Sequence, residues 1–120
     1  MGSSPDQDAV TSTVLDYFEG WFDGDVARME RALHPDLCKR ALRLDRSVMV
    51  INAQQMIDDT GKGDGKGGRP ADLNIRVTVE DVYADMANAT VYSTVYTEYL
   101  QLVRMPDGWK ILNALWTSVP

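Results

Sequence analysis

Apolar positions from Asp8 to Phe22 fall at Val10, Val14, Leu15, Tyr17, Phe18, Trp21 and Phe22, a spacing that predicts a helix with a broad apolar stripe. "DGD" at 23 to 25 stops it: Gly24 suits a left-handed C-terminal residue and Asp25 can cap a second helix over about Val26 to Leu33. Pro35 ends that helix, because the residue before a proline is pushed out of the helical region. "LCKRALRLD" and "SVMVIN" then predict a strand pair, and "AQQMIDDT" a third helix capped by Asn52.

After the glycines at 61 to 68 the period changes to two. "LNIRVTVEDVYA" sets Leu73, Ile75, Val77 and Val79 against Asn74, Arg76, Thr78 and Glu80, predicting a strand with one buried face. "ANATVYSTVYTEYLQLVRM" predicts one long second strand, "PDG" at 106 to 108 a tight turn, and "WKILNALWTSV" a third strand. Helices followed by an antiparallel meander give an α+β fold, a curved antiparallel sheet wrapped by three N-terminal helices. Residues 1–7 are expected to be a flexible N-terminus and 8–119 a single domain.

The run "TGKGDGKGGRP" contains G-x-G-x-x-G at Gly63, Gly65 and Gly68. A dinucleotide fingerprint needs a strand before its glycines and a helix after them, so that phosphates meet a helix N-terminus. Here the predicted order is reversed. The pattern predicts a mobile glycine and lysine connector over residues 61–70 and no nucleotide site.

Twelve basic against eighteen acidic residues leave a net charge of −6 without a basic cluster, which disfavours nucleic acid as a partner. The sequence contains no apolar run of membrane-spanning length, and its first residues lack the pattern of an export signal, so no membrane partner and a cytoplasmic location are expected. The lone Cys38 fits a reducing compartment and the small apolar role of a strand residue. One histidine, one cysteine and scattered acids show no ligand spacing for a metal. No cofactor is expected.

"YFEGWFDGD", "VARMERALHPDLCKR" and the closing "YLQLVRMPDGWKILNALW" together resemble the NTF2-like superfamily, whose cone folds include SnoaL-like proteins and steroid isomerases, and within it the branch described as "Putative lumazine-binding". The resemblance spans roughly residues 8 to 119. It implies helices packed on a strongly curved sheet around a blind apolar pocket with a few placed polar groups.

If Trp116 points inward, as the closing aromatic does in steroid isomerases of this fold, Ala114 and Leu112 share its face. On the preceding strand, Thr97, Tyr99 and Gln101 form one face and Tyr96, Glu98, Leu100 and Leu102 the other. The expected ligand-binding set is Tyr17, Trp21, Thr97, Tyr99, Gln101, Leu112, Ala114 and Trp116. A single bulge would exchange the faces. The resemblance also puts Tyr17 at the position of a helix-one tyrosine that donates to a developing oxyanion. It puts the isomerase's general base near Ala41 and a second oxyanion acid near Gln101, neither able to do that chemistry.

His34, the only histidine, and Asp36 two residues on are the remaining candidates for acid-base work beside Tyr17. Against that, a histidine before proline at a helix end also satisfies terminal carbonyls. Arg40 and Arg43 could hold an anion at the pocket mouth or face water. Leu100, Leu102, Ile111 and Leu115 are expected on an outer sheet face that a second copy of the chain covers. The functional expectation is a pocket for a small apolar or aromatic molecule. An acid-base enzyme using the same pocket and a dimeric structural domain are its alternatives.

Overall fold

The computed structural model describes residues 4–120. Helix α1 spans Pro5–Asp23 and starts earlier than its apolar stripe: Ser4 accepts from the Gln7 backbone while the Gln7 side chain accepts from Ser4, with Pro5 in the first turn. Of the segment expected to be flexible, positions 1–3 lie outside the described residues and 4–7 are the cap and first turn of α1. Gly24, at φ 67°, ends α1, and Asp25 caps α2, Val26–Ala32. Asp16 of α1 holds both Arg28 and Arg31 of α2, fixing the two helices together.

Strands β1 (Leu33–Leu42) and β2 (Val48–Asn52) form the predicted pair, and Asn52 caps α3, Ala53–Gly61. The glycine segment, expected as a connector, contains a helical turn, α4, at Asp64–Gly67. Gly65 packs on α1 so closely that a Cβ there would overlap the Trp21 carbonyl and approach its indole Nε1 to 2.5 Å. Glycine is required at this position by close approach.

Strands β3 (Arg76–Tyr83), β4 (Met86–Tyr92), β5 (Tyr96–Met105) and β6 (Gly108–Ser118) complete the sheet. The segment expected as one long strand is thus a hairpin. Ser93 breaks it, because its hydroxyl accepts from the backbone N–H of both Val95 and Tyr96 and offers the chain a turn instead of a ladder. The strand order is β2-β1-β6-β5-β4-β3, antiparallel except for the parallel pair β1 and β6. The helices cover one face, and Val10, Val14, Phe18, Phe22 and Met29 meet Val91, Leu100, Leu102 and Ile111 in the core.

One bulge decides which side chains enter that core. From Met105↔Gly108 to Leu102↔Ile111 the hairpin is regular, and then Gln101 pairs with Asn113, leaving Leu112 as an extra residue of β6. Beyond it Leu100 faces Ala114 and Glu98 faces Trp116. A hairpin without the bulge would pair Gln101 with Leu112, Tyr99 with Ala114 and Thr97 with Trp116, which is the set expected from the sequence. The bulge therefore corrects three expectations. Thr97, Tyr99 and Gln101 belong to the outer face, and Tyr99 is 60% exposed. Leu112 leaves the face of Ala114 and Trp116. Leu100, Leu102 and Ile111, expected outside, are each no more than 1% exposed in the core, and only Leu115 of that group lies outside.

Candidate functional site

The inner sheet face carries two charged side chains that alternate with apolar ones. Lys39 stands between Leu37 and Ala41 on β1, and Glu98 shares its face of β5 with Leu100 and Leu102. Both are buried, at 6% and 3% exposure. Such groups are tolerated only when paired and hydrogen-bonded, and Tyr17 of α1 supplies the link. Its hydroxyl donates to Glu98 Oε1 at 2.6 Å and accepts from Lys39 Nζ at 2.5 Å, while Nζ and Oε1 are 3.8 Å apart.

Lys39 Nζ also approaches the Tyr17 ring (4.9 Å to its centroid), the Trp116 ring (5.4 Å) and Met56 Sδ (3.6 Å). These neighbours hydrate an ammonium poorly. Burial lowers the Lys39 pKa from its ordinary 10.5, against the raising influence of the Glu98 charge. Burial, reinforced by that same carboxylate, pushes the Tyr17 hydroxyl well above its ordinary 10.0.

The three residues form the polar part of the wall of a cavity of about 170 Å³ between α1, α3 and the sheet. Phe18, Trp21, Met49, Ile51, Met56, Tyr96 and Trp116 supply its apolar part, and Asp59 of α3 adds a carboxylate. Tyr96 and Trp116 meet edge to face at 4.9 Å, and Tyr96 stacks on Phe22 at 6.0 Å. Trp116 Nε1 is buried with no acceptor among the described residues, an arrangement that costs free energy unless a ligand atom or water supplies one.

Of the expected ligand-binding residues the cavity brings together Tyr17, Trp21 and Trp116. Ala114 is buried on the same sheet face. Gln101 accepts a hydrogen bond from Asn113 on the outer face instead. The catalytic candidates do not converge: His34 Nδ1 accepts from the backbone N–H of Asp36, and both residues line a separate groove with Glu30 and Lys110. Five residues of β1, roughly 16 Å at strand rise, separate His34 from Lys39. In that region Lys110 Nζ donates to the Arg31 carbonyl at the end of α2. Arg40 and Arg43 are exposed.

Lys39, Glu98 and Tyr96 escaped the sequence reading. The available signal was parity: a charge alternating with Leu37 and Ala41, or with Leu100 and Leu102, on a face otherwise apolar. Cys38, expected to be buried, is half-buried. Among the described residues no three His, Cys, Asp or Glu side chains cluster as metal ligands, and no helix is long and apolar enough to cross a membrane.

The architecture is shared with solved structures. An NTF-2 like protein of unknown function from Silicibacter pomeroyi has a TM-score of 0.76 at 15% identity, covering 99% of this chain and 100% of that one. A ketosteroid isomerase-like protein from Erwinia carotovora atroseptica has a TM-score of 0.64 at 10% identity, covering 98% and 99%. A protein described as a "putative dehydratase" of the NTF2-like family from Streptomyces avermitilis has a TM-score of 0.58 at 18% identity, again covering 98% and 99%. At these identities the likeness shows the fold alone. No curated protein matches the chain. The model of the family described as "Putative lumazine-binding" matches residues 5–117, so the chain belongs to that family, and its fold is that of the NTF2-like structures.

Proposed function

We propose that the protein binds a small, largely apolar molecule in the cavity between α1, α3 and the sheet, reading its polar group with Lys39, Tyr17 and Glu98. The observation that carries this is the polar trio set into an apolar wall, the composition of a site that orients a ligand. A cavity of about 170 Å³ lies below the roughly 300–1,000 Å³ of drug-sized sites, which favours a ligand of one or two small rings. The open volume also favours binding over a purely structural role with a filled cone.

Native mass spectrometry of the purified protein tests the reading. A retained small mass that is lost on denaturation supports it and supplies the ligand's composition. If no mass is retained, lumazine, which the family's description suggests as a first probe, and single-ring heterocycles are titrated against tryptophan fluorescence. Absence of both quenching and thermal stabilisation by every probe overturns it.

A second reading, an acid-base enzyme, is favoured by one observation: a carboxylate and an amine both touch the Tyr17 hydroxyl at the cavity wall. Glu98 can serve as the base that the sequence reading lacked, with Lys39 Nζ as the donor to developing negative charge, because the single Tyr17 proton is already given to Glu98. Deuterium exchange next to the carbonyl of a small ketone, lost in Glu98→Gln, is the measurement that separates turnover from binding.

We also propose a second copy of the chain as the partner of the outer sheet face. With the bulge accounted for, its surface row is Val50, Arg40, Leu115 and Tyr99, neighbours across β2, β1, β6 and β5. Arg40 lies on one side of a groove there and Glu80 on the other. A two-fold axis through the Leu115 and Tyr99 centre sets Arg40 of one protomer against the Glu80 side of the other.

A further inference from the structure

The site just described has an amine in an unusual setting, and this inference, which rests on the binding reading, narrows its ligand to one chemical class. We propose that Lys39 is a nucleophilic amine that holds a small aldehyde or ketone in the cavity as an imine. The placement of Nζ carries the argument. It lies on the inner face between the rings of Tyr17 and Trp116, and its hydrogen-bond partners are one hydroxyl and one thioether. A thioether is a weak acceptor. The carboxylate is 3.8 Å away with the tyrosine interposed, so the amine is not locked into a direct, saturated ion pair.

Desolvation favours the neutral amine, the form with a free electron pair. The titratable groups that face Lys39 or share its cavity are Tyr17 from α1, Asp59 from α3, and Tyr96 and Glu98 from β5. The Glu98 charge opposes that shift, and burial leaves the Lys39 pKa below its ordinary 10.5, which raises the share of free amine.

The chemistry closes with these groups alone. The Nζ electron pair attacks the carbonyl carbon, forming the C–N bond as the C=O pair moves onto oxygen. The two amine protons pass to that oxygen, with the Tyr17 hydroxyl and Glu98 carboxylate as the adjacent relay. The C–O bond then breaks, water leaves and the C=N bond remains. No oxidant or reductant is consumed. The apolar wall takes the rest of the carbonyl compound, and its scarcity of water slows the reverse hydrolysis.

The other lysines provide internal controls. Lys62 is exposed and faces Asp59, Lys66 is exposed, and Lys110 is held by the Arg31 carbonyl and Asp107. The full chain is incubated with benzaldehyde and cyanoborohydride at neutral pH, and the reduced adduct at each lysine is followed by peptide mass spectrometry. The expected result is an adduct at Lys39 forming at least about tenfold faster than at Lys62, Lys66 or Lys110, and suppressed by excess benzyl alcohol, which cannot form an imine.

An adduct spread over Lys62 and Lys66 with Lys39 no faster overturns the proposal. Tryptophan quenching by benzyl alcohol in the same samples keeps the two readings apart. Quenching without a Lys39 adduct overturns the imine and leaves the binding site standing. Absence of both overturns the imine and, for this class of ligand, the binding reading with it.

Discussion

Tyr17 and Glu98, 81 positions apart, are joined by a 2.6 Å hydrogen bond at the wall of the cavity. The bond fastens α1 to β5, and Lys39 joins it from β1. Helix and sheet are thus tied at a buried polar point in a largely apolar interface, apart from the half-buried bond of the Thr13 hydroxyl to the Trp109 carbonyl. Removing any one member leaves the others without full compensation.

Lys39→Met is expected to destabilise the fold by about 3 kcal/mol, because it leaves Glu98 buried without its cation. Lys39→Met with Glu98→Leu and Tyr17→Phe should recover the loss to within about 1 kcal/mol, since apolar side chains of similar volume replace the whole buried polar cluster. Urea unfolding of the three proteins measures this. A single variant as stable as the parent would refute the buried pairing.

Stability should fall with pH above about 10, and Tyr17 should contribute to the fall. Its folded pKa is raised above the ordinary 10.0, so its contribution is fully present below 10.0 and is lost as pH climbs toward the folded value. Lys39 acts in the opposite sense: its folded pKa is depressed, so its charge penalises folding at lower pH and the penalty lifts as pH rises toward 10.5. Melting temperatures of Tyr17→Phe and the parent across the alkaline range isolate the tyrosine. The variant should show the shallower decline.

Gly65→Ala and Gly67→Ala should differ in sign. A Cβ at Gly65 meets Trp21 backbone and indole, whereas at Gly67 nothing lies within 4 Å. The first is expected to cost about 1–3 kcal/mol and weaken ligand binding by moving Trp21. The second should be neutral or stabilise α4 by up to about 1 kcal/mol. Thermal melts with a fluorescence titration test both, and equal effects would place the glycine turn away from Trp21.

Tyr99→Asp and Leu115→Asp, both on the outer face, should convert a dimer to a monomer in sedimentation while leaving the parent's ligand titration unchanged. A parent that sediments as a monomer at micromolar concentration would dismiss the second copy as partner.

Much of the architecture was legible along the chain. The helical stripe from Val10 to Phe22, the Gly24 and Asp25 stop and cap and the Pro106-Asp107 turn stand where local spacing and turn chemistry put them, while the first strand of the expected pair starts earlier, at Leu33, and runs through Pro35. Tyr17, Trp21 and Trp116 were legible as cavity residues through resemblance to a cone fold. These features depend on neighbours a few residues apart, or on one aromatic anchor.

Which face of β5 enters the cavity was decided by tertiary structure. Side chains alternate with period two, so the one extra residue at Leu112 exchanges every partner beyond it, bringing Glu98 in and sending Tyr99 out. Nothing local in "KILNALW" marks the bulge. The choice is made by burial, because only the bulged register puts Leu100 and Leu102 under the helices while keeping Ala114 and Trp116 inward. By itself the sequence determined the elements and the apolar stripe. The fold determined that a lysine, a tyrosine and a glutamate, distant along the chain, share one desolvated point.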